Sequence, residues 1–140
     1  MTKESAKLNN QFQPATYELF IENDFCSLLI TGRKLPPPSK RITFHQNGLK
    51  IISTKIIKID KKGEQIFEIA RINHLPSFEQ FRIHTQETLF PGNYKVEIKY
   101  ALKPEKLATL KKLGNKTPDR RLMPSIDEPE AWARTVIKIK

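Results

Sequence analysis

Residues 94–100, Tyr-Lys-Val-Glu-Ile-Lys-Tyr, alternate between apolar and charged side chains without a fault. Successive side chains of a β-strand point to opposite faces, so this run predicts a strand with one face in a core and the other in water. Such a strand needs neighbours of the same kind, and the chain supplies them. Tyr17, Leu19 and Ile21 alternate with Glu18 and Glu22, and Asn23-Asp24 turns the chain into Phe25–Thr31. Arg41–His45 follows, Asn47-Gly48 is a tight-turn signal, and Leu49–Asp60 is a long isoleucine-rich run. Lys61-Lys62-Gly63 turns the chain into Gln65–Ile72. Residues 73–77 break the pattern, Phe81 and Ile83 restart it, and Pro91-Gly92-Asn93 introduces the faultless run. With the alternation that closes the chain, these make about eight short strands. The expected fold is all-β, an antiparallel sandwich or curved sheet, because no β-α-β order is present.

One segment departs from the β pattern. Leu107, Leu110 and Leu113 recur at helical spacing between Pro104 and Gly114, which predicts a short helix over about 103–113. Pro36-Pro37-Pro38-Ser39 reads as a stiff strand connection, with a polyproline recognition ligand as the sharper alternative. Residues 1–13 are polar and aperiodic and are expected to be a disordered tail, followed by one domain over 14–140. Cys26 stands alone, so no intrachain disulfide is possible. No apolar run approaches the roughly 18 residues of a membrane span, and the expectation is a cytoplasmic protein without a membrane partner.

Charge concentrates towards the carboxyl end. The chain carries 25 Lys+Arg against 15 Asp+Glu, a formal net charge of +10. Between Lys99 and Arg121 stand Lys103, Lys106, Lys111, Lys112, Lys116 and Arg120, against Glu105 and Asp119. A lysine-rich helix of this kind can neutralise phosphates without reading sequence, but it lacks the aromatic interleaving of a single-strand binder. Its plainer reading is a solvated face. Further on, the prolines of Asp119–Ala133 push Met123 and Glu128 towards extended backbone. Pro129 suits the first position of a helical turn, and Arg120 or Arg121 is expected to fork onto Asp127 and Glu128 as a structural joint.

Arg120-Arg121-x-x-Pro124-x-x-Asp127-Glu128-Pro129-x-x-x-Ala133 resembles the Arg-(Arg/Glu)-x-x-Pro-Cys-x-Asp-Glu-Pro-x-x-x-Ala segment in the amino-terminal β-domain of zinc aminopeptidases of the aminopeptidase N type. Ser125 and Trp132 stand where that family has Cys and Lys. The order of turns and strands over residues 16–72, and Pro91-Gly92-x-Tyr94-x-Val96-x-Ile98-x-Tyr100, are similar to the same domain. The resemblance implies a structural joint at Arg120, Arg121, Pro124, Asp127, Glu128 and Pro129, with no metal or nucleophile from it. The family's Thr-Gln-Phe-Glu and Gly-Ala-Met-Glu-Asn segments are absent, and so is the His-Glu-x-x-His that would hold zinc with Glu as general base. The family's β-domain continues for several strands beyond Lys140, which implies a truncated domain or an edge strand left open for a partner.

His45, His74 and His84 could make a metal site with Cys26 only if four separate segments converged, and ordinary side chains are the simpler reading. Trp132 is either a core cap or an exposed interface anchor. The expected function is a non-catalytic binding or scaffolding module without cofactor, taking a protein or peptide partner or a second copy through an edge strand. Two alternatives stand beside it: the amino-terminal fragment of a longer zinc aminopeptidase, and a basic domain that binds nucleic acid or another polyanion.

Overall fold

The computed structural model describes residues 11–113, 118, 121–126 and 134–139. They form nine strands in two sheets and one short helix. The strands are β1 (Phe12–Ile21), β2 (Cys26–Lys34), β3 (Ser39–His45), β4 (Lys50–Asp60), β5 (Gly63–Phe67), β6 (Ile69–Leu75), β7 (Gln80–Leu89), β8 (Gly92–Ala101) and β9 (Arg134–Ile139). The helix α1 spans Pro104–Lys111. One sheet has six strands in the order β5-β4-β8-β2-β1-β9, and the other has three in the order β3-β7-β6. Pairing is antiparallel except between β1 and β9, which run parallel. The antiparallel expectation is corrected there: β9 lies beside β1 in the same direction, from Thr16 opposite Arg134 to Ile21 opposite Ile139.

Alternation puts the core where the sequence pattern places it. Tyr94, Val96, Ile98 and Tyr100 of β8 are fully buried. Their cross-strand neighbours extend the apolar rows: Ile56, Val96, Ile30 and Tyr17 lie in one register row, and Ile98, Leu28, Leu19 and Ile137 in the next. From the other sheet Ile42, Phe44, Phe81 and Ile83 join the same core, with Phe44 stacked on Phe81 at 5.2 Å between ring centroids. Each such side chain taken fully from water contributes about 1.5–3 kcal/mol, before the entropy of ordering it is subtracted.

Three boundaries differ from the sequence reading. Phe12 lies inside the stretch expected to be a tail, yet it is fully buried and pairs with Lys34 at the start of β1. Its ring packs over Gly32, where a Cβ would collide with the Phe12 ring and the Gln13 carbonyl. Residues 65–72, read as one strand, are split between the two sheets. Phe67 ends β5 facing the core, Ile69 opens β6 in the other sheet, and the chain crosses at exposed Glu68, whose carbonyl accepts from the Gln86 amide at 3.0 Å. This crossing makes nine strands of the expected eight. Strand β6 also runs on to Leu75, inside the expected break, and Pro76 then opens a single 3-10 turn (Pro76–Phe78).

The proline loop is a strand connection held from within. Lys34 is 1% exposed, and its ammonium donates to the carbonyls of Leu35 (2.9 Å) and Pro37 (3.0 Å). Burial lowers its pKa.

The segment Leu122–Ile126 is buried throughout and is tied to both sheets. Tyr100 of β8 donates its hydroxyl to the Leu122 carbonyl at 2.8 Å, and the Ile126 amide donates to the Tyr17 hydroxyl of β1 at 3.0 Å. On the other side Ser125 and His45 of β3 exchange backbone hydrogen bonds of 2.7 and 3.1 Å. Leu122, Met123 and Ile126, with Leu110 of α1, belong to the core. Removing either hydroxyl strands a buried backbone group, so Tyr17→Phe and Tyr100→Phe should each lower unfolding free energy by about 1–3 kcal/mol in denaturant titration. A change within error for both would show that the segment is not held through them.

Candidate functional site

The residues singled out in the sequence fall in three groups. Arg121 is exposed and Pro124 is buried beside the Ser125 bridge. Arg120, Asp127, Glu128, Pro129, Trp132 and Lys116 lie outside the described residues. On α1 and its flanks Lys103, Lys111 and Lys112 are exposed. Lys106 is half-buried and donates to the Asn47 carbonyl at 3.3 Å, so it serves the turn between β3 and β4. The helix has Pro104 at its first turn, with Glu105 there and Lys111 in the last turn, which suits the helix dipole.

The histidines are dispersed. His45 is fully buried on β3, His74 is exposed on β6, and His84 is half-buried on β7 with Nε2 3.1 Å from Asn73 Nδ2. Cys26 lies in the six-stranded sheet. No group of three or more His, Cys, Asp or Glu able to hold a metal occurs among the described residues. No described helix is long and apolar enough to cross a membrane.

A concave site lies instead on the outward face of the six-stranded sheet. A depression of about 460 Å³ is lined by Phe20 of β1, Ser27 and Leu29 of β2, Ser53 and Lys55 of β4, and Glu97 and Lys99 of β8. Lys55, Glu97 and Leu29 share one register row across three strands, so the fold itself sets their spacing. In the adjoining row Ile57 is only 5% exposed although it lies outside the main core, because Lys95 and Ile66 flank it on the same face. At the margins two lysines lie over aromatic faces. Lys138 Nζ is 5.6 Å from the Phe20 centroid, and Lys99 Nζ is 5.9 Å from that of Phe25.

Polar alternation marks these residues as solvated, and nothing local in the sequence announces a depression. Its floor is apolar at Phe20 and Leu29 and its rim carries both signs of charge, with lysine in excess. Such a surface can hold a chain segment through apolar contact and select it by charge.

Cys26 does not supply a nucleophile. It is fully buried, and burial pushes its thiol up to about 11, against smaller opposing effects of the Tyr100 hydrogen bond and Lys111. Neither a protein-family model nor a curated protein sequence matches this chain.

At pH 8 a thiol of that acidity is roughly one part in a thousand thiolate. Ellman's reagent should therefore label Cys26 only at the rate of unfolding and stoichiometrically in denaturant. Rapid labelling of the native protein would contradict its burial.

Proposed function

We propose that the chain is a non-catalytic binding module of the kind formed by the amino-terminal β-domain of zinc aminopeptidases, and that it holds a segment of a partner protein on the outward face of the six-stranded sheet. The observation that carries this reading is the depression over Phe20 and Leu29, with Lys55, Lys99 and Glu97 around it. A sheet with one solvated face can carry such a surface without disturbing its core, because the two faces use alternate residues. The lysine excess favours a segment that presents acidic side chains beside apolar ones. A ligand of this type gains from desolvating Phe20 and Leu29 and from meeting the rim charges.

Side-by-side capture from cell extract with the wild-type chain and Leu29→Glu tests this reading. Leu29 is half-buried on the solvated face, so the variant should keep its melting temperature within a few degrees while placing a carboxylate in the depression. The expectation is a protein retained by the wild type, lost by the variant, and competed by a synthetic segment of that protein rich in Asp/Glu and apolar residues. A zinc peptidase among the retained proteins would support the kinship as well. Identical retention by both chains would overturn the reading.

A further inference from the structure

The outward face of the three-stranded sheet differs in kind from that of the six-stranded sheet. Register places Arg41, His84 and Arg71 side by side across β3, β7 and β6, and Thr43, Arg82 and Asn73 side by side in the next outward row. Strands lie about 4.8 Å apart and alternate residues about 6.7 Å, so the three arginines and the histidine share a patch of about 10 by 7 Å. Ile42, Ile83 and Ile72 of the intervening row point the other way and pack in or against the core, which fixes the register and therefore the patch.

Two contacts orient the patch. Arg82 Nε donates to Thr43 Oγ1 at 3.0 Å, which leaves its two terminal nitrogens for other acceptors. With Asn73 Nδ2 donating to His84 Nε2, the imidazole carries its proton on Nδ1, a further donor. None of the three guanidiniums is ion-paired with a described residue. On the other sheet's solvated face, by contrast, Lys95 pairs with Glu64 at 3.1 Å and Lys55 stands beside Glu97. Three like charges gathered without a carboxylate repel one another, and an anion seated among them would relieve that repulsion.

We propose that this face is a binding site for a single phosphoryl dianion, as inorganic phosphate or as the phosphate monoester of a small molecule, with Arg41, Arg71 and Arg82 as forked donors and His84 as a fourth. The patch is too compact for a nucleic-acid track. Its next outward row is His45, Gln80 and Leu75, of which His45 and Gln80 are buried, and it carries no further arginine or lysine. Burial and then Arg71, Arg82 and Arg41 hold the pKa of His84 below its ordinary value, so the ring is neutral at pH 7 and adds a donor without another charge. The groups around it are Arg41 from β3, Arg71 and Asn73 from β6 and Arg82 from its own strand.

Titration of the full chain followed by amide NMR tests the site, with inorganic phosphate, phenyl phosphate and a single-stranded oligonucleotide as separate probes. Phosphate, phenyl phosphate or both should saturate shifts of Thr43, Asn73, Arg82 and His84, and the pKa of His84 should rise in their presence. Arg71→Ala and Arg41→Ala, both at exposed positions, should each weaken binding by roughly tenfold or more, and Arg71→Lys by less, since it keeps the charge but loses the fork. A monoester that binds more tightly than phosphate identifies the small-molecule source, and equal binding identifies the free ion. The proposal is overturned by unsaturable shifts, by binding that the arginine variants leave unchanged, or by an oligonucleotide that occupies the face while neither phosphate probe does.

Discussion

Two tyrosine hydroxyls and one backbone bridge tie the buried segment Leu122–Ile126 to both sheets of this protein. The three-stranded sheet is half as wide as the sheet it faces, so part of the larger sheet's apolar face needs another cover. Leu122–Ile126 and Leu110 supply apolar side chains to that same core, but a non-repetitive segment carries backbone amides and carbonyls that cannot be left dry. Tyr100 serves the Leu122 carbonyl, Tyr17 serves the Ile126 amide, and His45 of β3 serves Ser125 in both directions. Both tyrosines are fully buried, with rings in the core and hydroxyls on the segment. Burial accordingly raises the pKa of Tyr100 well above the usual phenol value, which keeps it a neutral donor.

Much of this architecture was legible in the alternation of single residues. A period of two identifies both the strand and its buried side, and Tyr94 to Tyr100 point inward as that period requires. What it cannot identify is which sheet a strand joins. Residues 65–72 contain no Gly or Pro, so the crossing at Glu68 leaves no mark that distinguishes it from a continuous strand. The parallel β1–β9 pair joins segments from the two ends of the chain, and no short-range signal specifies it. The segment around Pro124 stood out in the sequence for its prolines and charges, whereas its ties to Tyr17, Tyr100 and His45 left no mark there. Those ties include two tyrosine hydroxyls, and a buried hydroxyl's partner is set by tertiary geometry.

The same limit explains the surface. Arg41, Arg71 and Arg82 each read as an ordinary solvated residue of its own strand, and only the β3-β7-β6 order gathers them. Phe20 and Leu29 likewise occupy wet-face positions that become a depression only when β1, β2, β8 and β4 curve together. A sandwich whose cores are shared but whose outer faces are independent can carry two unlike surfaces. One here is mixed in charge over an apolar floor, and the other gathers three arginines that are not ion-paired with any described residue. The functional reading follows from that division rather than from any concentration of reactive groups.

Native-state hydrogen exchange tests the central claim most directly, because it reports the free energy that opens each amide. If Leu122–Ile126 is an integral part of the second layer, the amides of Ser125 and Ile126 should open with the same free energy as those of Val96 and Ile98 in the middle of the large sheet. Exchange at Ser125 and Ile126 through a separate opening several kcal/mol cheaper than that of β8 would contradict the account, since the segment would then be an ornament on a core that closes without it.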